Sequence, residues 1–168
     1  MSEHLQRIRA RVGNHLLLLP AVSALVYDSA GRVLLASHTE ADGRWATPGG
    51  AVEPGEEPCD AVVREVWEET GLWVEPIALR TVFGGEAMRV RYPNGDEVEY
   101  VTSVFECALR GGALRADGLE VSEARFFPPA EIGALPLARW ARLLLPALLL
   151  ERGRTRVGTV RWQPPQED

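Results

Sequence analysis

The segment covering residues 50–72, GAVEPGEEPCDAVVREVWEETGL, restricts what this chain can be more than any other stretch. Glu56, Arg64, Glu65, Glu68 and Glu69 sit at fixed offsets between Gly50 and Gly71. Pro58 suits the first turn of a helix, Asp60 the early negative charge that a helix favours, and Gly71 the position just past its end. Each helical residue turns about 100°, so Glu69 and Glu68 fall roughly 40° and 60° to either side of Glu65. The three carboxylates therefore share one edge. Cys59, Val62, Val63, Val66, Trp67 and Thr70 are expected mostly on the apolar face that a core would take.

Such an edge is locally unfavourable. Like charges four residues apart cost about 0.2–0.5 kcal/mol. Carboxylates in the last turn oppose the helix dipole by about 0.3–1 kcal/mol. Surface ion pairs between Arg64 and Asp60 or Glu68 are the ordinary alternative for a charged helix face. A divalent cation removes the conflict more completely: magnesium is hard, takes oxygen ligands, and shares its shell among carboxylates, water and phosphate. Ahead of the helix, Pro48 ends a strand-like stretch that begins at Trp45, and Gly49-Gly50 lets the backbone come close to a ligand.

These residues resemble the Nudix box, with every defining position occupied, and the resemblance covers about residues 18–150. Nudix proteins hydrolyse nucleoside diphosphates linked to another group, using divalent metal. The resemblance implies an α/β (α+β) fold, an α/β/α sandwich on a mixed β-sheet. It implies Mg2+ or Mn2+ held by Glu65, Glu68, Glu69 and the Gly49 carbonyl. Arg64 would orient the glutamates, with Glu56 as a partner, a task that suits a guanidinium fork. Metals neutralise phosphate charge and lower the pKa of bound water, so attack at phosphorus splits the P–O–P bridge. The general base is either Glu65 or a later loop acid, for which Glu120 and Glu123 stand just before Arg125-Phe126-Phe127.

Substrate contacts are less legible. Trp45 and Tyr92, with Phe83 and Tyr100, could stack on a base or fill the core. Arg44, Arg89 and Arg91, with Arg80, could meet phosphate or face solvent. Arg89 and Arg91 alternate with Val90 and Tyr92, so they point together on a strand. Ala87 and Met88 stand where ADP-ribose hydrolases tend to carry proline and diadenosine-polyphosphate hydrolases tyrosine. A small nucleotide is expected: a nucleoside triphosphate, a nucleotide sugar or ADP-ribose. A silent nucleotide-sensing module and an enzyme for RNA 5′ ends are the alternatives. The intact box argues against the first. The net charge of −6 argues against the second and against duplex nucleic acid.

The remaining chain frames one domain over residues 18–150, with an N-terminal helical extension (1–17) and a C-terminal tail (151–168). Residues 16–27, LLLLPAVSALVY, follow a basic start but are too short to span a membrane. They are read as a buried strand in a cytoplasmic protein, which also fits two cysteines without disulfide or zinc spacing. A helix is expected near 3–12, and strands over 22–28, 32–37, 73–84, 87–92, 97–109 and 122–128. Asn94-Gly95 should form a hairpin turn. Leu135–Leu150 should be an apolar-faced helix disturbed at Pro146, available to a homodimer. The three histidines are read as surface or structural. The tail's four arginines, Arg152, Arg154, Arg156 and Arg161, lie in an added strand or a loose end.

Overall fold

The computed structural model describes residues 3–39 and 43–157. Its elements run α1 (Glu3–Val12), β1 (Leu17–Tyr27), β2 (Val33–His38), β3 (Trp45–Ala46), α2 (Pro58–Thr70) and β4 (Leu72–Phe83). They continue through a 3-10 turn (Glu86–Met88) to β5 (Arg89–Arg91), β6 (Glu97–Gly112), β7 (Val121–Phe127), α3 (Pro129–Ile132) and α4 (Arg139–Leu150).

The sheet has the order β3-β2-β1-β6-β4, with β5 also on β6 and β7 also on β2. It is mixed: β1 and β6 are parallel, and the other pairs are antiparallel. Strand alternation sends Val22, Ala24 and Val26 to one face, where they pack with Ala61, Val62 and Val66 of α2. Leu25, Val33, Leu35 and Val104 face the other way, against Ala141, Leu145 and Leu148 of α4. The result is an α/β/α sandwich. Burial on both faces explains the apolar character of residues 21–26. The first half of β1 instead alternates and leaves Leu18 exposed, as is Leu16 before it, so the strand expected to be buried over 16–27 is buried only in its second half.

Several expected boundaries move. β1 begins at Leu17 because its first residues pair with β6, Leu17 opposite Val98 and Leu18 opposite Glu99. The C-terminal helix begins at Arg139, not near Leu135. Residues 136–138 instead bond to Trp45, whose N–H reaches Pro136 O and whose carbonyl accepts from Ala138 N–H. The apolar face of α4 packs on the chain's own sheet and leaves Leu143 and Leu150 exposed. On α2, Cys59 and Trp67 are exposed, whereas Ala61, Glu65 and Glu69 are buried.

The turn at 93–96 forms as expected, with Gly95 at φ 89° and Tyr92 N–H on Asp96 O. Helix α1 is held to this hairpin by Arg9, which donates to His15 O at 2.6 Å and Glu97 O at 2.7 Å. The start of the tail is bound to β4 through Arg156 N–H on Arg80 O at 2.7 Å. Arg161 and the acidic end lie outside the described residues. Among the described residues, no helix is long and apolar enough to cross a membrane.

Candidate active site

The site forms where α2 faces the glycine segment. Residues 48–52 run along β1: Ala24 N–H donates to Pro48 O, Val22 N–H to Gly50 O, and Val52 N–H to Pro20 O. Behind them Ser23 Oγ and Thr47 Oγ1 form a buried hydrogen bond of 2.6 Å. Gly49 has φ 151°, and a Cβ there would lie 2.2 Å from Val22 O. A Cβ on Gly50 would lie 2.6 Å from Glu65 Oε1. The β1 backbone therefore requires glycine at 49, whereas a side chain at 50 would have to displace the Glu65 carboxylate. Gly49 N–H turns to the helix side and donates to Glu69 Oε2 at 3.2 Å. With the Pro48 and Gly50 carbonyls committed to β1, alternation of the extended chain directs the Gly49 carbonyl to the same side.

Arg64 organises the acids. Its Nε and one terminal nitrogen take both oxygens of Glu56 at 2.8 and 2.9 Å. The other terminal nitrogen donates to Glu65 Oε1 at 2.8 Å and Glu68 Oε2 at 3.1 Å. A further bond of 3.1 Å reaches Ala51 O and ties the helix to the loop. The Arg64 hydrogen bonds, aided by Glu53 N–H and opposed by burial, hold the Glu56 carboxyl below its usual range.

Glu65 and Glu69 are treated differently. Burial raises the Glu65 carboxyl despite Arg64, and the charges of Glu68 and Glu120 add to it. Glu69 is 3% exposed. Burial pushes it up to about 9, with the Glu65 charge next, and Glu120 and Asp117 adding to it; the Gly49 N–H opposes them. Among the described residues its ion-pair contact is His38, with Nδ1 3.7 Å from Oε1. Glu68 is largely exposed and turned onto Arg64. No three His, Cys, Asp or Glu side chains among the described residues are already gathered as a metal cage. The donors nevertheless fit a hard cation: they are oxygen-only, crowded and short of positive charge.

The two later acids separate. Glu120 acts electrostatically on both Glu65 and Glu69, whereas Glu123 pairs with Arg125 on β7. The expected substrate residues scatter. Trp45 is buried against Phe127, with ring centroids 4.8 Å apart, and Arg44 beside it is exposed. Arg89 and Arg91 pair with Glu99 and Glu97 at 2.9 and 3.2 Å, and Tyr92 OH meets Tyr100 OH at 2.8 Å. Strands β1 and β6 separate these β5 residues from the glycine segment, roughly 14 Å at about 4.8 Å per strand. Phe83 stacks on Trp140.

Arg80 is buried, pairs with Glu106 at 2.6 Å, and donates to Leu148, Glu151 and Arg154 carbonyls. It is a structural residue and not a phosphate contact. Arg152 lies over the Tyr27 ring at 3.9 Å. His38, Thr39 and Asp117 were not expected at the site. His38 arrives there through a register shift between Ser37 and His38 in the β2–β7 ladder, a long-range feature with no local sequence mark.

An acidic helix edge, one orienting guanidinium and a close-packed glycine segment come together here in an α/β/α sandwich. Residues 17–148 match the NUDIX domain family, and the chain belongs to that family of pyrophosphohydrolases. It is 34% identical over 128 residues to a MutT-like protein of Streptomyces ambofaciens, covering 76% of this chain and 75% of the relative. The MutT protein of Methanosarcina mazei Go1 superposes with a TM-score of 0.67 at 24% identity, over 83% of this chain and 99% of that one. A UDP-X diphosphatase superposes with a TM-score of 0.65 at 22% identity, over 92% of this chain and 73% of that one. These two likenesses show the fold.

Proposed function

We propose that the protein hydrolyses the diphosphate bridge of a small nucleotide, a nucleoside diphosphate joined to another group, with magnesium or manganese. The observation that carries this reading is Glu69, a carboxyl group buried to 3% exposure among other acids, whose one ion-pair contact among the described residues is a histidine. Glu65, Glu68 and Glu69, with the Gly49 carbonyl, would hold the ions. Bound there, they would neutralise phosphate charge and make a water nucleophilic at neutral pH. Arg64 keeps Glu65 and Glu68 in register through charge-assisted bonds and leaves Glu69 open. Glu120, which acts on the acid pair from the loop before β7, is favoured over Glu123 as acceptor of the water's proton.

The candidate substrates are nucleoside triphosphates, nucleotide sugars and ADP-ribose; the UDP-X diphosphatase neighbour makes nucleotide sugars one class to test. The acidic net charge favours small substrates over RNA ends. Arg89 and Arg91 on β5, with Tyr92 just after it, are proposed for the far end of the substrate, and Arg44 for its phosphates. A cytoplasmic setting completes the proposal. A hydrolysis screen over these classes plus triphosphorylated RNA, with chelator and Glu69→Gln as controls, tests it. Metal-dependent release of a nucleoside monophosphate, silenced by both controls, is expected. Nucleotide and metal binding without turnover would replace it with a sensing role.

A further inference from the structure

The loop between β6 and β7 carries Glu120, and its backbone is held by two side chains whose role the box does not explain. Asp117 Oδ1 accepts from Leu119 N–H at 3.0 Å and from Val121 N–H at 2.8 Å. Its Oδ2 accepts from Glu120 N–H at 3.2 Å. From the other side, Thr39 N–H donates to Glu120 O at 3.0 Å. Thr39 Oγ1 donates to Leu119 O at 3.0 Å and Glu120 O at 3.2 Å. Both backbone polar groups of Glu120 are thus taken, one by each clamp. Thr39 follows directly on His38, which lies 3.7 Å from Glu69 and pairs with Val121. The clamp therefore fixes the Glu120 backbone next to the strand end whose His38 reaches Glu69, and the Glu120 charge acts on both Glu65 and Glu69.

We propose that Asp117 is a positioning residue for the reaction: with Thr39 it locks residues 118–121 so that Glu120 is presented to Glu65 and Glu69. The loop needs such a lock. Leu119 is 81% exposed, so burial does not order it. Glu120 is itself exposed, and no apolar packing sets its direction. A carboxylate accepting three N–H groups is a strong local organiser, because each bond is charge-assisted. Burial opposes ionisation of Asp117, but these backbone N–H groups hold it below the usual carboxylate range. Displacing a proton acceptor by about 1 Å costs on the order of 100-fold in rate.

This inference rests on the pyrophosphohydrolase reading and on Glu120 as proton acceptor, and a double-mutant cycle separates the three. Turnover by the wild-type protein decides the reading. Glu120→Gln should lower kcat by roughly 100-fold or more. Asp117→Ala should lower kcat by about 10–100-fold with KM little changed, and Asp117→Asn, which keeps one acceptor oxygen, should recover part of that loss. In the Glu120→Gln background, Asp117→Ala should have almost no further effect, since there is no acceptor left to position. Thr39→Val, which keeps the backbone bond, should follow the same pattern with a smaller loss and serves if Asp117→Ala does not fold. Equal losses in both backgrounds would mean general destabilisation and overturn the proposal. So would full activity of Asp117→Ala. Full activity of Glu120→Gln in an otherwise active enzyme would overturn it while leaving the pyrophosphohydrolase reading intact.

Discussion

Replacing Glu69 by Gln should stabilise the metal-free protein while destroying its activity. Burial and the neighbouring Glu65 push the Glu69 carboxyl from its ordinary 4.5 up to about 9 in the folded chain. Below pH 4.5 the group is protonated whether folded or unfolded, and no penalty arises. As pH rises further, the unfolded chain ionises first, so a raised folded-state pKa costs stability at about 1.4 kcal/mol per pH unit. The cost grows from about pH 4.5, reaches on the order of 3 kcal/mol at pH 7, and levels off above about pH 9. Glutamine keeps an oxygen for the Gly49 N–H and removes the titration. For a domain of this size about 3 kcal/mol corresponds to a rise of roughly 6–12 °C in Tm.

Thermal melts of both proteins between pH 4.5 and 8.5, in chelator, give the comparison. The curves should nearly coincide at the acid end and diverge as pH rises. Saturating magnesium should then close the gap, because an ion supplies to the wild type what the substitution removes. A variant that melts with or below the wild type at pH 7 would refute the reasoning and show that His38 already compensates Glu69. Full activity of the variant with unchanged metal dependence would remove Glu69 from the metal shell.

Two further perturbations test how the site and fold are held. A Gly50→Ala methyl would sit 2.6 Å from Glu65 Oε1, so Glu65 must move; turnover should fall on the order of 100-fold with Tm nearly unchanged, and an active variant would contradict the packing. Arg80→Met strands the Glu106 carboxylate and unties three carbonyls at the end of α4; it should cost about 3–5 kcal/mol in denaturant melts, with part restored by Glu106→Leu alongside it. A loss below about 1 kcal/mol would show the pair to be incidental.

The box was legible because its chemistry is local. Helix spacing alone puts Glu65, Glu68 and Glu69 on one edge, and the cap at Gly71 forms with φ 67° and its N–H on Trp67 O. A mixed sheet was legible from alternating strands and helices and the Asn94-Gly95 turn, and the sandwich through the family resemblance. What stayed hidden depends on contacts far apart in sequence. Trp67 reads as core by periodicity, yet it is half exposed because Glu65 and Glu69 occupy the inward arc that an apolar face would use. Arg80 reads as a free cation in a strand, and only the fold brings Glu106 and the end of α4 to it. Leu135–Leu137 read as helix, but Leu135 closes the turn after α3 and the bridge to Trp45 takes Pro136 and Leu137 to the sheet edge. His38, Thr39 and Asp117 have no shared pattern, and a register shift plus a loop clamp makes them neighbours.

The distribution of charge across α2 explains why this site is built around one arginine and not two. Three box glutamates bond a single guanidinium, and the fourth, Glu69, does not share it. Arg64 commits two bonds to Glu56, which lies before the helix, and one each to Glu65 and Glu68, so its charge is spent on orientation. A second arginine beside Glu69 would relieve the burial penalty and lower that carboxyl, but it would also occupy the oxygens that a metal must use. The burial of Glu69 opposite Gly49, a residue that admits no side chain, sets one oxygen against the Gly49 N–H and the other near the His38 ring. On the proposed reading the site stays short of positive charge until cations bind, and a bound cation is what would draw an anionic diphosphate to an acidic protein at this point. Metal would then bind before the substrate or together with it.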